Sequence, residues 1–302
     1  MYIVHTVNDS HAPELLGLAE IATLAGVTRQ AVANWRVRAN DFPTPVVELQ
    51  SGPVFRTAAI KRWLRKKKGA RVAQIIATIN LKGGVGKSTT TVALAEMAAV
   101  ELGKRVLVID LDPQTNATTM LIGENRWKEL NEAEHTLARL FADALVEPSA
   151  RRFDLEQTLQ KNVSNVRDVR NVDLLPSSLD LIDVQDQLGS MSSGRFHSDV
   201  PTDILRRAVW KIVDEYDLVL IDCPPNLGII TLNGLKISDG YIIPTIPDVL
   251  STYGIPQIIK RVKAFSDNIG QALPPLGMIV SKFRAQSTFH QNTLRDIKNN
   301  PK

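Results

Sequence analysis

Apolar runs alternate with amphipathic stretches from residue 73 onward, and this alternation predicts a parallel β-sheet. Short, nearly continuous apolar runs are typical of buried strands, and the stretches between them carry apolar residues at helical spacing. Strands are predicted at residues 74–79, 105–110, 172–175, 218–222, 241–244 and 277–281. Strands and helices in alternation favour an α/β fold, in which helices cover both faces of a doubly wound parallel sheet.

The N-terminal residues show a different pattern, which is typical of a small helical domain. Apolar residues recur at helical spacing from Leu18, Gly26 marks a tight turn, and Thr28 is suited to cap a second helix. A β-hairpin and a third helix are predicted to follow. We therefore predict two domains, residues 1–69 and 70–302, and a polar, Gly/Ser-rich loop at residues 189–198 of the second.

The positive charge of the chain is concentrated in the first of these domains. The whole sequence carries 36 Lys and Arg against 32 Asp and Glu, a net charge of +4. Residues 1–71 hold 11 basic and 5 acidic residues, so this segment has a net charge of +6 and the remainder −2. A local excess of this size indicates a polyanionic partner, such as DNA, for the N-terminal domain.

Cysteine usage and hydropathy indicate a soluble protein of a reducing compartment. Cys223 is the only cysteine in the sequence, which excludes an internal disulfide and a multi-cysteine metal site. The N-terminus lacks the basic and apolar regions of a signal peptide, and no apolar run approaches the ~18 residues of a membrane span. We expect a cytoplasmic location and no membrane partner.

A glycine-rich loop follows the first strand of the second domain and precedes a predicted helix. Backbone N–H groups at a helix N-terminus attract phosphate, and glycines let the backbone approach it closely. Lys87 is placed to contact the β- and γ-phosphates of ATP, and Ser88 to bind Mg²⁺. The general phosphate-loop pattern has glycine where this sequence has Leu81, and here a second lysine, Lys82, follows it. The predicted ATP-binding residues are Lys82, Gly83, Gly84, Val85, Gly86, Lys87, Ser88 and Thr89.

Two further apolar strands end in carboxylates. Asp110 and Asp112 follow the second strand, and Asp222 ends the fourth, immediately before Cys223 and two prolines. Ligands bind at the carboxyl edge of a doubly wound sheet, where a carboxylate can hold a metal-bound water or orient a water for attack on phosphate. We therefore predict a magnesium site formed by Ser88, Asp110 and Asp222.

The loop from Lys82 to Thr89, the run around Asp112 and the run ending at Asp222 resemble the three ATPase motifs of the ParA/MinD superfamily, whose loop is a deviant Walker A. The resemblance covers most of the second domain. It implies a weak, Mg²⁺-dependent ATPase with Lys82, Lys87 and Asp112 as catalytic residues. In the family, the Lys82 position reaches the nucleotide of a partner subunit in an ATP-dependent homodimer, and the Asp112 position activates the hydrolytic water.

The resemblance also implies partners and a missing part. Family members act with a ParB-like protein and bind DNA non-specifically, which places them on the nucleoid. They usually continue with a further strand and helices where this sequence reaches Lys302. We therefore expect the ATPase domain to be truncated, with the adenine pocket and the C-terminal DNA-binding surface incomplete.

The N-terminal domain resembles the winged helix-turn-helix domains of the MerR and excisionase type, through the run from Leu18 to Trp35 and a downstream Phe55-Arg56 with Trp63-Leu64. This resemblance implies operator binding by the second helix. The predicted DNA contacts are Arg29, Gln30, Asn34, Arg36, Arg38, Lys66, Lys67 and Lys68.

These features predict a DNA-partition ATPase for a plasmid or chromosome, whose N-terminal domain binds its own operator. A transcription regulator with nucleotide as a ligand is one alternative, and a ParA-like positioning ATPase for another cargo is a second. A MinD-like membrane switch is disfavoured because the sequence shows no C-terminal amphipathic basic helix. A nitrogenase-type reductase is disfavoured because the cysteines for an iron–sulfur cluster are lacking.

Overall fold

A computed structural model describes residues 2–4, 15–39, 42–56, 60, 63–64, 67, 73–190, 201–213 and 215–299. The chain divides into two compact units. The smaller is Asp9–Val72, and the larger combines Met1–Asn8 with Ala73–Lys302.

The described strands are numbered along the chain. They are β1 (Tyr2–Val4), β2 (Leu15–Leu16), β3 (Val47–Leu49), β4 (Gly52–Arg56), β5 (Gln74–Thr78), β6 (Val106–Asp110), β7 (Val172–Leu175), β8 (Leu218–Asp222), β9 (Gly240–Thr245) and β10 (Pro275–Val280).

The described helices are α1 (Leu18–Ala25), α2 (Arg29–Arg38), α3 (Lys87–Glu101), α4 (Asn116–Glu132), α5 (Leu137–Ala142), α6 (Leu155–Thr158), α7 (Leu181–Ser190), α8 (Ile204–Val213), α9 (Ile229–Ile237), α10 (Val249–Ile269) and α11 (Thr288–Asn299). Short 3-10 turns lie at Asp143–Leu145, Pro148–Ala150 and Pro201–Asp203. Helix α4 is kinked at Gly123, whose φ of 76° and ψ of 163° are not helical.

The larger unit is organised by a sheet with the order β1-β10-β9-β5-β8-β6-β7. Strands β5 to β10 pair in parallel, and β1 adds an antiparallel edge beside β10. The predicted parallel sheet is confirmed, with each predicted strand within two residues of its observed position. The predicted loop at 189–198 was wrong at its start, because Gly189 and Ser190 complete the last turn of α7. Residues 191–200 of that loop lie outside the described residues.

The strands of the sheet are buried on both faces because helices cover both. All five residues of β6 are buried. Val106 and Val108 pack with α3 and α4 in one apolar cluster, whereas Leu107 and Ile109 pack with α5, α7, α8, α9 and α10 in the other. This double burial explains why the strands read as continuous apolar runs. Among the described helices, none has the length and apolar character needed to cross a membrane.

The smaller unit packs two helices against a three-stranded sheet with the order β2-β4-β3. Helix α1 ends at Gly26, whose φ of 68° is left-handed, and the hydroxyl of Thr28 caps α2 by accepting the Ala31 N–H at 3.2 Å. These helix ends lie where the sequence pattern predicts them. The core of the smaller unit contains Ile21, Val32 and Phe55. Most of the third predicted helix lies outside the described residues.

Candidate nucleotide-binding site

The glycine-rich loop joins the end of β5 to the start of α3. Gly84 and Gly86 have φ values of 72° and 84°, in the left-handed region that side chains rarely adopt. Gly86 precedes the first residue of α3, and its carbonyl accepts the Thr90 N–H at 2.9 Å. The N–H groups at the start of α3 have no partner within the helix, and the helix dipole adds a positive field there.

The polar residues at the start of α3 are buried in the protein. Lys87 is 6% exposed and Ser88 is 9% exposed, whereas Thr89 faces solvent. A lysine is almost never this buried without an anionic partner. The carboxylates of Asp112 and Asp222 are anionic neighbours of Lys87 in the protein, and the phosphate-loop position of Lys87 also suits a bound phosphate.

The carboxylate of Asp222 lies in the centre of the sheet edge. Asp222 is paired in register with Asp110 on β6 and with Thr78 on β5. Its Oδ1 atom accepts a hydrogen bond from the Thr91 hydroxyl at 3.5 Å, and the nearby Ser88 hydroxyl opposes the rise in the pKa of this carboxyl. Its Oδ2 atom is buried and has no hydrogen-bond partner among the described residues. A buried carboxylate oxygen without a donor fits a magnesium ion or a metal-bound water.

Asp110 anchors the segment that carries Asp112. Its Oδ1 accepts the Asp112 N–H at 3.1 Å, and its Oδ2 accepts the N–H and the hydroxyl of Thr118 at 2.9 and 2.7 Å. Both carboxylate oxygens of Asp110 are therefore already engaged. The geometry favours Asp222 over Asp110 as the carboxylate that holds a metal.

Hydrogen bonds hold both the side chain and the backbone of Asp112. Its Oδ1 accepts the Gln114 N–H at 3.0 Å, and its carbonyl accepts the Ser177 hydroxyl at 2.7 Å. Asp112 is 3% exposed, and Lys87 lies close enough to oppose the rise in its pKa that burial causes. The structure thus brings Asp112, predicted to be catalytic, to the same edge as Lys87 and Asp222.

The three carboxyl groups share one buried, polar site. Burial raises the pKa of Asp110 from 3.8 to about 7, against the opposing hydrogen bonds from Thr118. Burial also raises the pKa of Asp222, and the neighbouring Asp110 carboxylate adds to that rise. Burial raises the pKa of Asp112 as well, although the Gln114 N–H and Lys87 oppose it. A bound divalent cation would offset this repulsion among carboxylates.

Lys82, the second lysine of the loop, is paired within the same subunit. Its ammonium forms an ion pair with the Asp248 carboxylate, and both side chains are about one-third exposed, at 33% and 29%. Its N–H donates to Asn80 Oδ1 at 2.9 Å, and Asn80 Nδ2 donates to the Pro244 carbonyl at 2.7 Å. The Lys82 ammonium therefore lies beside the segment that follows β9.

The predicted DNA contacts of α2 divide into two groups. Arg29, Gln30, Asn34 and Arg38 are exposed, with Gln30 Nε2 donating to Asn34 Oδ1 at 3.4 Å. Arg36 is exposed as well, but its guanidinium forms an ion pair with Glu48 of β3. The ammonium of Lys67 lies over the rings of Trp35 and Trp63, 4.9 and 5.2 Å from their centroids. Lys66 and Lys68 lie outside the described residues.

Several residues at the site escaped the sequence analysis. The Thr91 hydroxyl contacts Asp222, and the Thr118 hydroxyl contacts Asp110. Asn80 accepts the N–H of Lys82, and Asp248 pairs with the Lys82 ammonium. Ser281, which follows β10, donates to the loop. Thr91 and Thr118 lie close in sequence to recognised motifs, so a search for hydroxyls near those motifs would have found them. Asp248 and Ser281 are distant in sequence and carry no comparable signal.

The class of the larger unit follows from comparison with protein families. Residues 73–274 match the family model described as an AAA domain, and the chain belongs to this family. Two solved structures share the fold. A cobyrinic acid a,c-diamide synthase from Mycobacterium smegmatis, with bound ATP analogue and magnesium, is 31% identical with a TM-score of 0.58, covering 76% of this chain and 83% of that chain. A plasmid partition protein from Borrelia burgdorferi is 21% identical with a TM-score of 0.58, covering 76% and 87%, and shows the fold alone.

Several individual proteins are also similar to this chain. An uncharacterised protein of Mycobacterium tuberculosis is 36% identical over 70% of this chain, and the match spans 58% of that protein's length. The sporulation initiation inhibitor protein Soj of Bacillus subtilis is 28% identical over 75% of this chain and 79% of its own length. The cell division protein PomZ of Myxococcus xanthus is 31% identical over 68% of this chain and 57% of its own length. The resemblance to ParA/MinD ATPases is confirmed at the level of the family.

Proposed function

We propose that the chain binds ATP with Mg²⁺ and hydrolyses it as a partition or positioning ATPase. The observation that carries this proposal is the Oδ2 atom of Asp222, which has no partner in the described part of the chain and lies near the buried Ser88 and Lys87 at the start of a phosphate-loop helix. The same fold in a plasmid partition protein, and the kinship with PomZ and Soj, support the partition or positioning role.

Each residue has a role in this proposal. The N–H groups of residues 83–88 and the ammonium of Lys87 bind the phosphates, and Ser88 and Asp222 hold the magnesium ion. The ion neutralises phosphate charge when bound. Asp112 orients the attacking water, and Asp110 keeps Asp112 in place. Lys82 leaves Asp248 and contacts the nucleotide of the second subunit in an ATP-dependent homodimer.

Phosphate release by the purified full chain tests the enzymatic part of the proposal. We expect slow turnover of ATP in Mg²⁺, no turnover in EDTA, and none in Lys87→Ala. Lys104→Ala is a matched control, because Lys104 is an exposed lysine that precedes the amino end of β6. The absence of ATP binding by the wild-type chain would refute the proposal.

We propose that the smaller unit, Asp9–Val72, which holds most of the predicted domain 1–69, acts as a winged helix-turn-helix that binds operator DNA. The exposed polar face of α2 supports this role, and the segment carries the net positive charge. In the partition function, a ParB-like partner stimulates hydrolysis, and the homodimer also binds DNA non-specifically on the nucleoid.

The same face of α2 favours a second candidate, a transcription regulator in which nucleotide is only a ligand. Turnover separates the two. A partition ATPase should hydrolyse ATP faster with DNA and a ParB-like partner. A regulator should change its operator affinity with nucleotide while turnover stays unchanged.

A further inference from the structure

The outer side of the glycine-rich loop is held by the two residues that follow β10. The Ser281 N–H donates to the Thr245 carbonyl at 2.8 Å, which continues the ladder between β10 and β9. The Ser281 hydroxyl donates to the Val85 carbonyl at 2.6 Å. The Lys282 ammonium donates to the Gly84 carbonyl at 2.8 Å. Consecutive residues thus bind consecutive carbonyls of the loop.

The Val85 carbonyl belongs to a buried residue and needs a donor, whereas Gly84 is exposed and its carbonyl is held by Lys282 at the surface. A loop that directs its N–H groups towards an anion directs neighbouring carbonyls elsewhere, and buried carbonyls without partners are costly. Val85 is fully buried, and the loop around it has the left-handed φ values of Gly84 and Gly86. The donors from Ser281 and Lys282 favour this loop conformation over others.

The backbone at Lys282 indicates that the contact is specifically maintained. Lys282 has a φ of 50°, in the left-handed region that a lysine rarely adopts. Such a conformation persists when the surrounding structure holds it, and it occurs often at ligand sites. Lys282 is exposed, so burial of its side chain does not explain the conformation.

We propose that Ser281 and Lys282 are positioning residues for nucleotide binding, which hold the Gly84 and Val85 carbonyls so that the loop N–H groups face the phosphates. This inference rests on the proposed function, because it assumes that the loop binds nucleotide. Neither residue belongs to the three ATPase motifs, since they lie 196 and 198 residues from their partners in the sequence.

Competition binding against a fluorescent ADP analogue tests this role in the full chain. We expect Lys282→Met and Ser281→Ala each to weaken ADP binding about fivefold to tenfold, the effect of one lost hydrogen bond. Lys282→Arg should retain binding within about twofold, because it keeps a charged donor. Binding of AMP should change less, since AMP lacks the β-phosphate that the loop holds. Lys104→Met is the control for the loss of one positive charge far from the loop.

Thermal unfolding without nucleotide separates positioning from general stability. Lys282→Met should keep the wild-type Tm while ADP affinity falls. Lys282→Gly should raise the Tm, because glycine adopts the left-handed φ freely, yet bind ADP as weakly as Lys282→Met. ADP affinity equal to that of Lys104→Met, or a fall in Tm that accounts for the lost affinity, would overturn the inference. Failure of the wild-type chain to bind ADP would instead refute the proposed function.

Discussion

The Asp222 carboxyl combines complete burial with an oxygen atom, Oδ2, that has no hydrogen-bond partner among the described residues. Burying a carboxylate in this way opposes folding. The carboxylate is nevertheless suited to a cation, because Thr91 contacts its Oδ1 atom and leaves Oδ2 available for a ligand. At the scale of single residues, the site is therefore arranged for its ligand at some expense of stability.

Asp222→Asn should stabilise the nucleotide-free protein and weaken Mg²⁺–nucleotide binding. The substitution removes a buried charge while keeping an oxygen for Ser88 and Thr91 to contact. We expect a Tm higher by about 2 °C or more, because 1 kcal/mol shifts Tm by about 2–4 °C in a domain of this size. Thr78→Val is the matched control, since Thr78 Oγ1 is also buried and has no hydrogen-bond partner within the ranges that the structure describes. It should leave magnesium-dependent binding unchanged, and a loss of stability in Asp222→Asn would contradict this account.

The raised pKa of Asp110 predicts a pH dependence of stability. A carboxyl whose pKa rises from 3.8 to about 7 on folding binds its proton more tightly in the folded state. Its contribution to stability is therefore lost as the pH rises between these values, and the loss is complete above about pH 7.

Asp222→Asn removes the charge that repels Asp110, so the Tm difference between this variant and wild type should grow from pH 5 to pH 8. Thermal unfolding in EDTA at several pH values measures this difference. A constant difference across the range would show that neither the ionisation of Asp222 nor its repulsion of Asp110 affects stability between these pH values.

Asp112→Ala should bind ATP normally and hydrolyse it about 100-fold more slowly, the usual effect of losing a general base. An interaction made mainly in the transition state lowers kcat more than ground-state affinity. Single-turnover phosphate release and equilibrium ATP binding together measure the two effects. Unchanged hydrolysis with weaker binding would make Asp112 a metal or structural residue instead.

At the scale of elements, a contact between α2 and the β-hairpin distinguishes two arginines of α2. Arg29 at the start of α2 and Arg36 near its end are both exposed, but Arg36 forms an ion pair with Glu48 on β3. The sequence predicts both as DNA contacts, because both are basic residues of one helix. The β3–β4 hairpin holds Arg36 through Glu48. Helical periodicity cannot predict this contact, because it lies between two elements.

Arg29→Ala should therefore weaken operator binding more than Arg36→Ala does. A base contact is worth about 1–3 kcal/mol, which corresponds to roughly a 5-fold to 150-fold loss for Arg29. Gel shifts with the upstream region of the gene and with random DNA measure the difference. A larger loss for Arg36→Ala would reverse the assignment. Substitutions are preferable to deleting residues 1–69, because β1 pairs with β10 of the larger unit.

At the scale of the whole molecule, the two lysines of the loop should separate nucleotide binding from dimerisation. Lys87 is buried at the start of α3, whereas Lys82 is half-buried and paired with Asp248. Lys87→Ala should lose ATP binding. Lys82→Ala should bind ATP yet fail to dimerise and to hydrolyse it. Light scattering with and without ATP decides this, and a Lys82→Ala protein that dimerises normally would refute a role across the interface.

The sequence by itself determined the fold of the larger unit and the motifs of the site. Strands that are buried on both faces are mostly apolar. The sequence therefore predicts strands from apolar runs, as at residues 74–78, 106–110 and 218–222. The sequence also predicts the glycine-rich loop, helix α3 and the aspartates at the strand ends, because each motif consists of residues that are neighbours in the chain. The Gly84 and Gly86 conformations also follow locally, since glycine alone adopts them freely.

The tertiary structure alone decided which polar groups are free and which are engaged. Asp110 and Asp222 look alike at the ends of their strands, but only Asp222 keeps an oxygen without a partner among the described residues. Lys82 pairs with Asp248, and Ser281 with Lys282 supports the loop, across gaps of 166 to 198 residues. Such contacts arise from the order of strands in the sheet, which brings the ends of β5, β9 and β10 together and is not encoded in any local pattern.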